Sequence, residues 1–190
     1  MRLKVPKGKV TRPIPDRVRE SLFSSLGSEY GTAGELPELH VLDLFAGTGS
    51  FGLEALSRGV KLCCFVESSP KAMSALRENI THLRLQGRCW LVYGDAFTCE
   101  LPRSPEASGW ELVFVDPPYV HSAVHVDRYS VPNLLRGLSE SELLADGALV
   151  ILRYPEGVEY DRPVARLKVD RQKTYGSMKV TWYRYEWRIS

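Results

Sequence analysis

The chain has 190 residues, 44% apolar and 25% charged, with a net charge of +2 and four cysteines. This composition is that of an ordinary globular protein and excludes a disordered chain and a small disulfide scaffold. No apolar run approaches the ~20 residues of a membrane-spanning helix, and the basic N-terminus is too poor in apolar residues for a signal peptide. We therefore expect a cytoplasmic monomer with reduced core thiols and no membrane partner.

The charge is unevenly distributed along the chain. Residues 1–19 carry a net charge of +6, residues 153–190 carry +4, and the stretch between them carries −8. If the two ends meet on one face, that face is a plausible phosphate-binding surface, although on charge alone we favour a solvated charge run. The basic candidates of the N-terminal end are Arg2, Lys4, Lys7, Lys9, Arg12, Arg17 and Arg19.

The chain begins with a segment that prolines and a glycine keep out of helix. We predict a basic extended segment over residues 1–14 and a single domain over residues 15–190. An amphipathic helix opens at Pro15 and Asp16, and residues 27–38 are predicted to be a linker. Further helices are predicted over residues 50–59, ending at Gly59, and over residues 68–83. The capping-box spacing of Ser139 and Glu142 predicts another helix there.

Short apolar runs alternate with these helices. They predict strands over residues 40–45, 61–67, 89–93, 111–116 and 148–153. Because the runs are almost continuously apolar, both faces of each strand are expected to be covered, as in a parallel sheet. The alternation of strand and helix predicts a doubly wound, Rossmann-like α/β sheet. The C-terminal residues differ and predict an antiparallel hairpin at the sheet edge, with its turn at Gly176.

A glycine-rich turn follows the first predicted strand, in V-L-D-L-F-A-G-T-G-S-F-G (41–52). Gly47 and Gly49 would let the backbone approach a ligand at the start of a helix. The pattern matches a dinucleotide fingerprint, but its D-x-F-x-G-x-G form, with Asp43 and Phe45, is more typical of S-adenosylmethionine binding. Asp43 could hold the ammonium group of the methionine portion. A tight turn without a ligand is the alternative.

Acidic residues also close the next two predicted strands. Glu67 could accept hydrogen bonds from both ribose hydroxyls, and Asp95 from an adenine amino group, next to Ala96 in G-D-A-F (94–97). A surface glutamate and an ordinary turn aspartate are the alternatives for each residue taken alone. Together with Asp43, these acids outline an adenosine pocket at the carboxyl edge of the sheet.

The fourth predicted strand ends in D-P-P-Y (116–119). Neither Pro117 nor Pro118 can donate a hydrogen bond, so the Asp116 carboxylate and the neighbouring carbonyls offer acceptors only. The exocyclic amine of a nucleobase fits such a site, and these hydrogen bonds would stabilise the positive charge that grows as the nitrogen attacks a methyl group. Tyr119 could stack on the base. The alternative is a Pro-Pro turn that only ends a strand.

Other residues carry weaker signals. His121 and His125 follow this motif, but they lack helical support and further ligands, and we expect no metal. Tyr175 could line the target pocket or simply be a hairpin aromatic.

Four runs of the sequence carry a resemblance to a known family: residues 12–23 (R-P-I-P-D-R-V-R-E-S-L-F), residues 41–59, F-V-D-P-P-Y (114–119) and Y-G-S-M-K-V-T-W-Y-R (175–184). The chain resembles the bacterial RsmD-type methyltransferases over nearly its whole length. That family methylates the N2 amine of a guanine in 16S ribosomal RNA with S-adenosylmethionine.

The resemblance implies roles for particular residues. It implies cofactor contacts at Asp43, Gly47, Gly49, Glu67 and Asp95, and target-base contacts at residues 116–119. It also implies a role near the methionine end of the cofactor for the segment with Asp16 and Arg19. The implied partner is 16S ribosomal RNA, within the small subunit or an assembly intermediate, and the basic N-terminal residues become candidates for RNA binding. Family members usually place a further basic strand before the equivalent of R-L-K-V-P, and their loop after D-P-P-Y is usually more basic.

Rival functions fit part of the sequence. An N6-adenine methyltransferase would present a similar amine to D-P-P-Y, whereas a protein-glutamine methyltransferase typically has Asn in place of the acid. A nucleotide- or RNA-binding module without turnover is the alternative from another class. A nicotinamide dehydrogenase fits the glycine turn but leaves D-P-P-Y unexplained.

Overall fold

The computed structural model describes residues 15–105, 109–118 and 130–187. Within these residues the strands are β1 (His40–Leu44), β2 (Leu62–Glu67), β3 (Cys89–Tyr93), β4 (Trp110–Val115), β5 (Leu144–Pro155), β6 (Leu167–Tyr175) and β7 (Met178–Tyr185). The helices are α1 (Asp16–Glu29), α2 (Gly52–Ser57), α3 (Pro70–His82) and α4 (Val131–Glu140), with a short 3-10 turn at Gln86–Arg88.

The seven described strands form one sheet in the order β3-β2-β1-β4-β5-β7-β6. Strands β1 to β5 pair in parallel, whereas β7 is antiparallel to both β5 and β6. The predicted doubly wound sheet with an antiparallel C-terminal hairpin is therefore confirmed. The hairpin turns at Gly176, whose φ of 61° explains the glycine there.

Helices cover both faces of the sheet. The apolar sides of α1, α2 and α3 pack into one core, and α4 packs into a second core on the opposite face. This double cover explains why the central strands are apolar at nearly every position. Cys63 and Cys64 point into different cores, and all four cysteines are free thiols. Among the described helices, none is long and apolar enough to cross a membrane.

The helix predicted from the capping-box spacing near residue 139 is wrong. The helix in this region is α4, which begins after Ser130, whose hydroxyl accepts a hydrogen bond from the Asn133 N–H. Ser139 lies near the end of α4 and accepts from the Arg166 N–H at 2.8 Å. Glu142 takes a φ of +56° in the turn that ends the helix, and β5 starts at Leu144, four residues earlier than predicted. Neither residue therefore caps a helix, because Ser139 lies within α4 and Glu142 lies in the turn after it.

Candidate functional site

The carboxyl ends of β1 to β4 lie along one edge of the sheet because these strands are parallel. Each predicted acid lies in or just after one of these strands. Leu44 pairs with Val115, so the turn after β1 lies beside the D-P-P motif after β4. The Asp116 N–H points to the Leu44 carbonyl at a distance of 3.5 Å. The sheet thus brings the predicted cofactor and target residues together, as expected from the strand assignments.

Gly47 and Gly49, in the turn after β1, are each glycine for a different physical reason. A Cβ on Gly49 would lie 2.6 Å from Leu76 Cδ1 and 2.7 Å from Leu53 Cδ1, so this glycine lets α2 and α3 pack against the turn. A Cβ on Gly47 would have no atom within 4 Å. Both residues have positive φ values, 91° for Gly49 and 58° for Gly47. The open side of Gly47 is where the backbone can approach a ligand.

Phe45, in the same turn, has a φ of +62°, a conformation that a non-glycine residue rarely adopts. Its ring contacts Phe97 with the ring centroids 4.8 Å apart. The contact joins the turn after β1 to the loop after β3. Phe97 was not predicted as a site residue, although its place two residues after the strand-closing Asp95 was the available signal.

Asp43 lies in β1 and is 1% exposed. Its Oδ2 accepts a hydrogen bond of 2.9 Å from the Gly52 N–H at the start of α2, whereas its Oδ1 is buried without a hydrogen-bond partner among the described residues. Burial raises the pKa of the Asp43 carboxyl to about 8; the hydrogen bond from Gly52 opposes this rise, and the charges of Asp116 and Glu67 add to it. A buried carboxylate oxygen with spare acceptor capacity fits a cationic ligand group.

Glu67 bridges the turns after β1 and β2. Its Oε2 accepts from the Gly47 N–H at 2.7 Å, and its Oε1 accepts from the Ser69 N–H at 2.6 Å. A carboxylate offers about four acceptor positions, so two remain for further donors. The predicted contact of Glu67 with a ribose stays a prediction, and such a ribose would share the carboxylate with the glycine turn.

Asp95 shapes its own turn. Its Oδ1 accepts from the Phe97 N–H at 3.0 Å, and its carbonyl accepts from the N–H groups of Thr98 and Cys99. Ala96 is buried and, with Phe97, lines a cavity of about 430 Å³ between this loop and α4. The carboxylate therefore has the structural role considered as the alternative above. Its predicted contact with adenine stays a prediction.

Asp116 follows β4 and pairs with Arg153, which was not predicted as a site residue. Arg153 donates from Nε to Oδ1 and from Nη2 to Oδ2, both at 2.7 Å. Burial raises the pKa of Asp116, while the guanidinium charge and its hydrogen bonds oppose this rise. Next to Asp116, Pro117 is buried and Pro118 is half-buried. A cation from another strand therefore already binds the acceptor carboxylate of this motif, which the sequence did not predict.

The described basic candidates of the N-terminal end differ from each other. Arg17 is exposed on α1. The side chain of Arg19 is only 12% exposed and pairs with Asp16 at 2.8 Å and with Glu54 of α2 at 3.4 Å. Arg19 therefore joins α1 to α2, the helix that begins at the hydrogen-bond donor of Asp43. This position suits the role implied near the cofactor better than contact with RNA phosphates.

The C-terminal hairpin lies against α1, the helix that carries the described basic candidates Arg17 and Arg19. Lys173 donates to the Ser25 hydroxyl at 2.9 Å, and the Ser21 hydroxyl lies 3.5 Å from the Tyr175 hydroxyl. Arg171 and Arg184 both pair with Glu29, so part of this charge is neutralised within the protein. Tyr175 packs at the edge of the core instead of standing free in solvent.

Several predicted residues lie outside the described residues. They are Arg2, Lys4, Lys7, Lys9, Arg12, Tyr119, His121 and His125, together with the extended segment 1–14. Within the described ranges, no three His, Cys, Asp or Glu side chains are grouped so that they could hold a metal ion.

Comparison with known proteins gives consistent matches. Residues 1–184 match the family model described as Conserved hypothetical protein 95. The chain is 32% identical over 183 residues to YlbH of Bacillus subtilis, covering 96% of this chain and 92% of YlbH. It is 30% identical over 187 residues to Ribosomal RNA small subunit methyltransferase D of Escherichia coli, covering 97% and 85% of the two chains. The solved structure of Escherichia coli yhhF matches with a TM-score of 0.73 at 30% identity, covering 98% of this chain and 92% of that one.

Proposed function

The chain belongs to the Conserved hypothetical protein 95 family, the RsmD-type methyltransferases, and we propose that it methylates the exocyclic N2 amine of a guanine in small-subunit (16S) ribosomal RNA, using S-adenosylmethionine. The observation that carries this proposal is the adjacency of two motifs. The glycine turn with the buried Asp43 follows β1, and Asp116 with Pro117 follows the neighbouring β4. A cofactor site and an amine-binding site at one sheet edge are what direct methyl transfer requires.

The proposed roles follow from the chemistry of each group. S-adenosylmethionine, when bound, supplies an electrophilic methyl group on a sulfonium. Asp43 Oδ1 accepts from the ammonium of the methionine portion, the open side of Gly47 admits the backbone approach, and Glu67 accepts from ribose hydroxyls. Phe45, Gly49, Asp95 and Ala96 complete the walls of this cofactor site. No strong base is needed, because the methylated nitrogen is acidic once it carries a positive charge.

At the target side, the amine is held by acceptors. One N–H donates to Asp116 and the other to the Pro117 carbonyl, while Pro118 and Tyr119 shape the base pocket. These hydrogen bonds strengthen as the nitrogen becomes positive, so they stabilise the transition state more than the bound substrate. Arg17 and the basic residues of segment 1–14 contact RNA phosphates, and the protein acts as a cytoplasmic monomer on the small subunit or its assembly intermediate.

The experiment that tests this proposal maps methylated nucleosides. Small subunits and naked 16S RNA from a strain lacking the gene are incubated with the protein and methyl-labelled S-adenosylmethionine, then digested and analysed by mass spectrometry. We expect N2-methylguanosine in one of the two RNA preparations and none with Asp116→Ala. N6-methyladenosine would support the adenine alternative. Cofactor binding without transfer to either RNA would support a binding module.

A further inference from the structure

Arg153 lies in β5, directly beside the end of β4. Leu152 pairs with Val115 in the parallel register, so the next residues along the two strands, Arg153 and Asp116, are neighbours at the ligand edge. Arg153 is 7% exposed, and its guanidinium makes two hydrogen bonds of 2.7 Å, one to each carboxylate oxygen. This is the bidentate arrangement that fixes a carboxylate in both position and plane.

The pairing leaves the carboxylate able to accept more. Each oxygen of Asp116 has about two acceptor positions, and the guanidinium fork uses one of them on each oxygen. One position per oxygen therefore remains for an amine. Without a partner, the carboxylate could rotate about its side-chain torsions, and its acceptor positions would point in many directions. The two hydrogen bonds from the Arg153 guanidinium instead hold these positions in one plane. The guanidinium also offsets the cost of burying an ionised carboxylate.

We propose that Arg153 is a positioning residue for methyl transfer, which fixes the Asp116 carboxylate so that its remaining acceptor positions meet the target amine. This inference rests on the proposed function, because it assigns Asp116 to the amine. Arg153 touches neither cofactor nor base in this role. It acts through Asp116, by orientation and by keeping the acceptor ionised.

The charged groups around Asp116 set the expected pH dependence. Arg153 on β5 favours the ionised carboxylate, and Asp43 on β1 is close enough for mutual repulsion. Loss of the cation leaves the effect of burial unopposed, and burial favours the protonated acid. A protonated Asp116 has lost an acceptor, so the rate should fall on the acid side at a higher pH than in the wild type. Measuring kcat at saturating cofactor separates this effect from the ionisation of Asp43 in the free protein.

The test compares Arg153→Met with Arg153→Lys. Methionine keeps an unbranched apolar stem without the charge, and lysine keeps the charge without the fork. For Arg153→Met we expect kcat at pH 7.5 to fall by about 100-fold, the acid limb of the kcat profile to move up by about one to three pH units, and the cofactor Kd to stay within about threefold. For Arg153→Lys we expect a fall in kcat with an acid limb close to that of the wild type.

A double variant separates positioning from folding. Asp116→Ala removes the carboxylate that pairs with the buried Arg153, so this single variant should have a lowered melting temperature. Asp116→Ala/Arg153→Met should recover part of that loss and remain inactive. Activity and an acid limb unchanged by Arg153→Met would overturn the proposal, as would a rate loss with no shift of the acid limb. If the wild-type protein transfers no methyl group, the proposed function fails instead, and the thermal comparison still reports on the ion pair.

Discussion

The ends of β1 and β4 lie side by side, and each presents an aspartate at the same edge of the sheet. Asp43 is held by one backbone N–H and keeps one oxygen without a partner among the described residues, so burial raises its pKa to about 8. Both oxygens of Asp116 accept hydrogen bonds from the Arg153 guanidinium, whose charge opposes the rise that burial causes in the pKa of Asp116. The two carboxylates therefore differ in their partners: Asp43 can still accept a cationic group, whereas Asp116 already binds the guanidinium of Arg153. The first arrangement suits a cationic cofactor, and the second suits a neutral amine.

The largest effect is expected from removing the β4 acceptor. Asp116→Ala should lower methyl transfer by about 1,000-fold or more, because it removes the proposed contact with the amine, which would strengthen in the transition state. Cofactor affinity should change by less than about tenfold. Labelled methyl transfer and calorimetry check the two expectations on one preparation. A complete loss of cofactor binding would show that Asp116 supports the fold of both sites.

Substitutions in the glycine turn test the β1 side through stability. Gly49→Ala should cost about 2–4 kcal/mol of unfolding free energy, because alanine would have both an unfavourable φ and a clash with Leu53 and Leu76. Gly47→Ala is the matched control, with positive φ but open space, and should cost about 1 kcal/mol. Urea unfolding measures both. Equal costs would contradict the packing role of Gly49.

The raised pKa of Asp43 predicts that this residue makes the folded protein less stable as pH rises. An aspartate whose pKa is lowered by folding has the opposite effect. Between its unfolded pKa near 4 and its folded value of about 8, the folded state binds more protons than the unfolded state. Stability of the ligand-free protein should therefore fall as pH rises from 5 to 8, with a contribution from Asp43 of up to about 1.4 kcal/mol per pH unit. Asp43→Asn should remove this part of the slope. Identical slopes in denaturant titrations of the two proteins would refute the assignment.

The same ionisation should couple to the cofactor. A cationic ammonium favours the ionised Asp43, so affinity should rise about tenfold between pH 6 and pH 7.5, with a proton released on binding. Calorimetry in buffers of different ionisation enthalpy detects this proton. Asp43→Asn should bind more weakly and release none.

A smaller effect than at Asp116 is expected at Glu67. Glu67→Ala should weaken cofactor binding by about tenfold, because it removes the acceptor of the Gly47 and Ser69 N–H groups along with the proposed ribose contact. Glu38→Ala, at an exposed position, serves as the control. Calorimetry that finds the two variants equal would remove Glu67 from the cofactor site.

Much of the fold could be predicted because its signals are local. The apolar runs gave four strands to within one residue at each end, and the acids that close them could be placed at one edge by the rule for parallel sheets. The start of β5 and helix α4 were missed because the capping-box spacing of Ser139 and Glu142 competes with the Ser130 cap. Arg153 was missed for a different reason. It lies 37 residues from Asp116, and only the register between β4 and β5 brings the two together.

The place of β5 in the sheet has a consequence for a chain cut short at its C-terminal side. Strands β1 to β3 are consecutive in the chain and neighbours in the sheet, so their pairings with one another do not need the C-terminal hairpin. Strand β5 lies between β4 and β7, and β7 is the last strand of the described chain. Without β7, β5 would be an edge strand, and Arg153 would lose its paired neighbour Val180. Truncation before Met178 should therefore expose the strand that carries Arg153 while it leaves the strand pairings around the glycine turn in place.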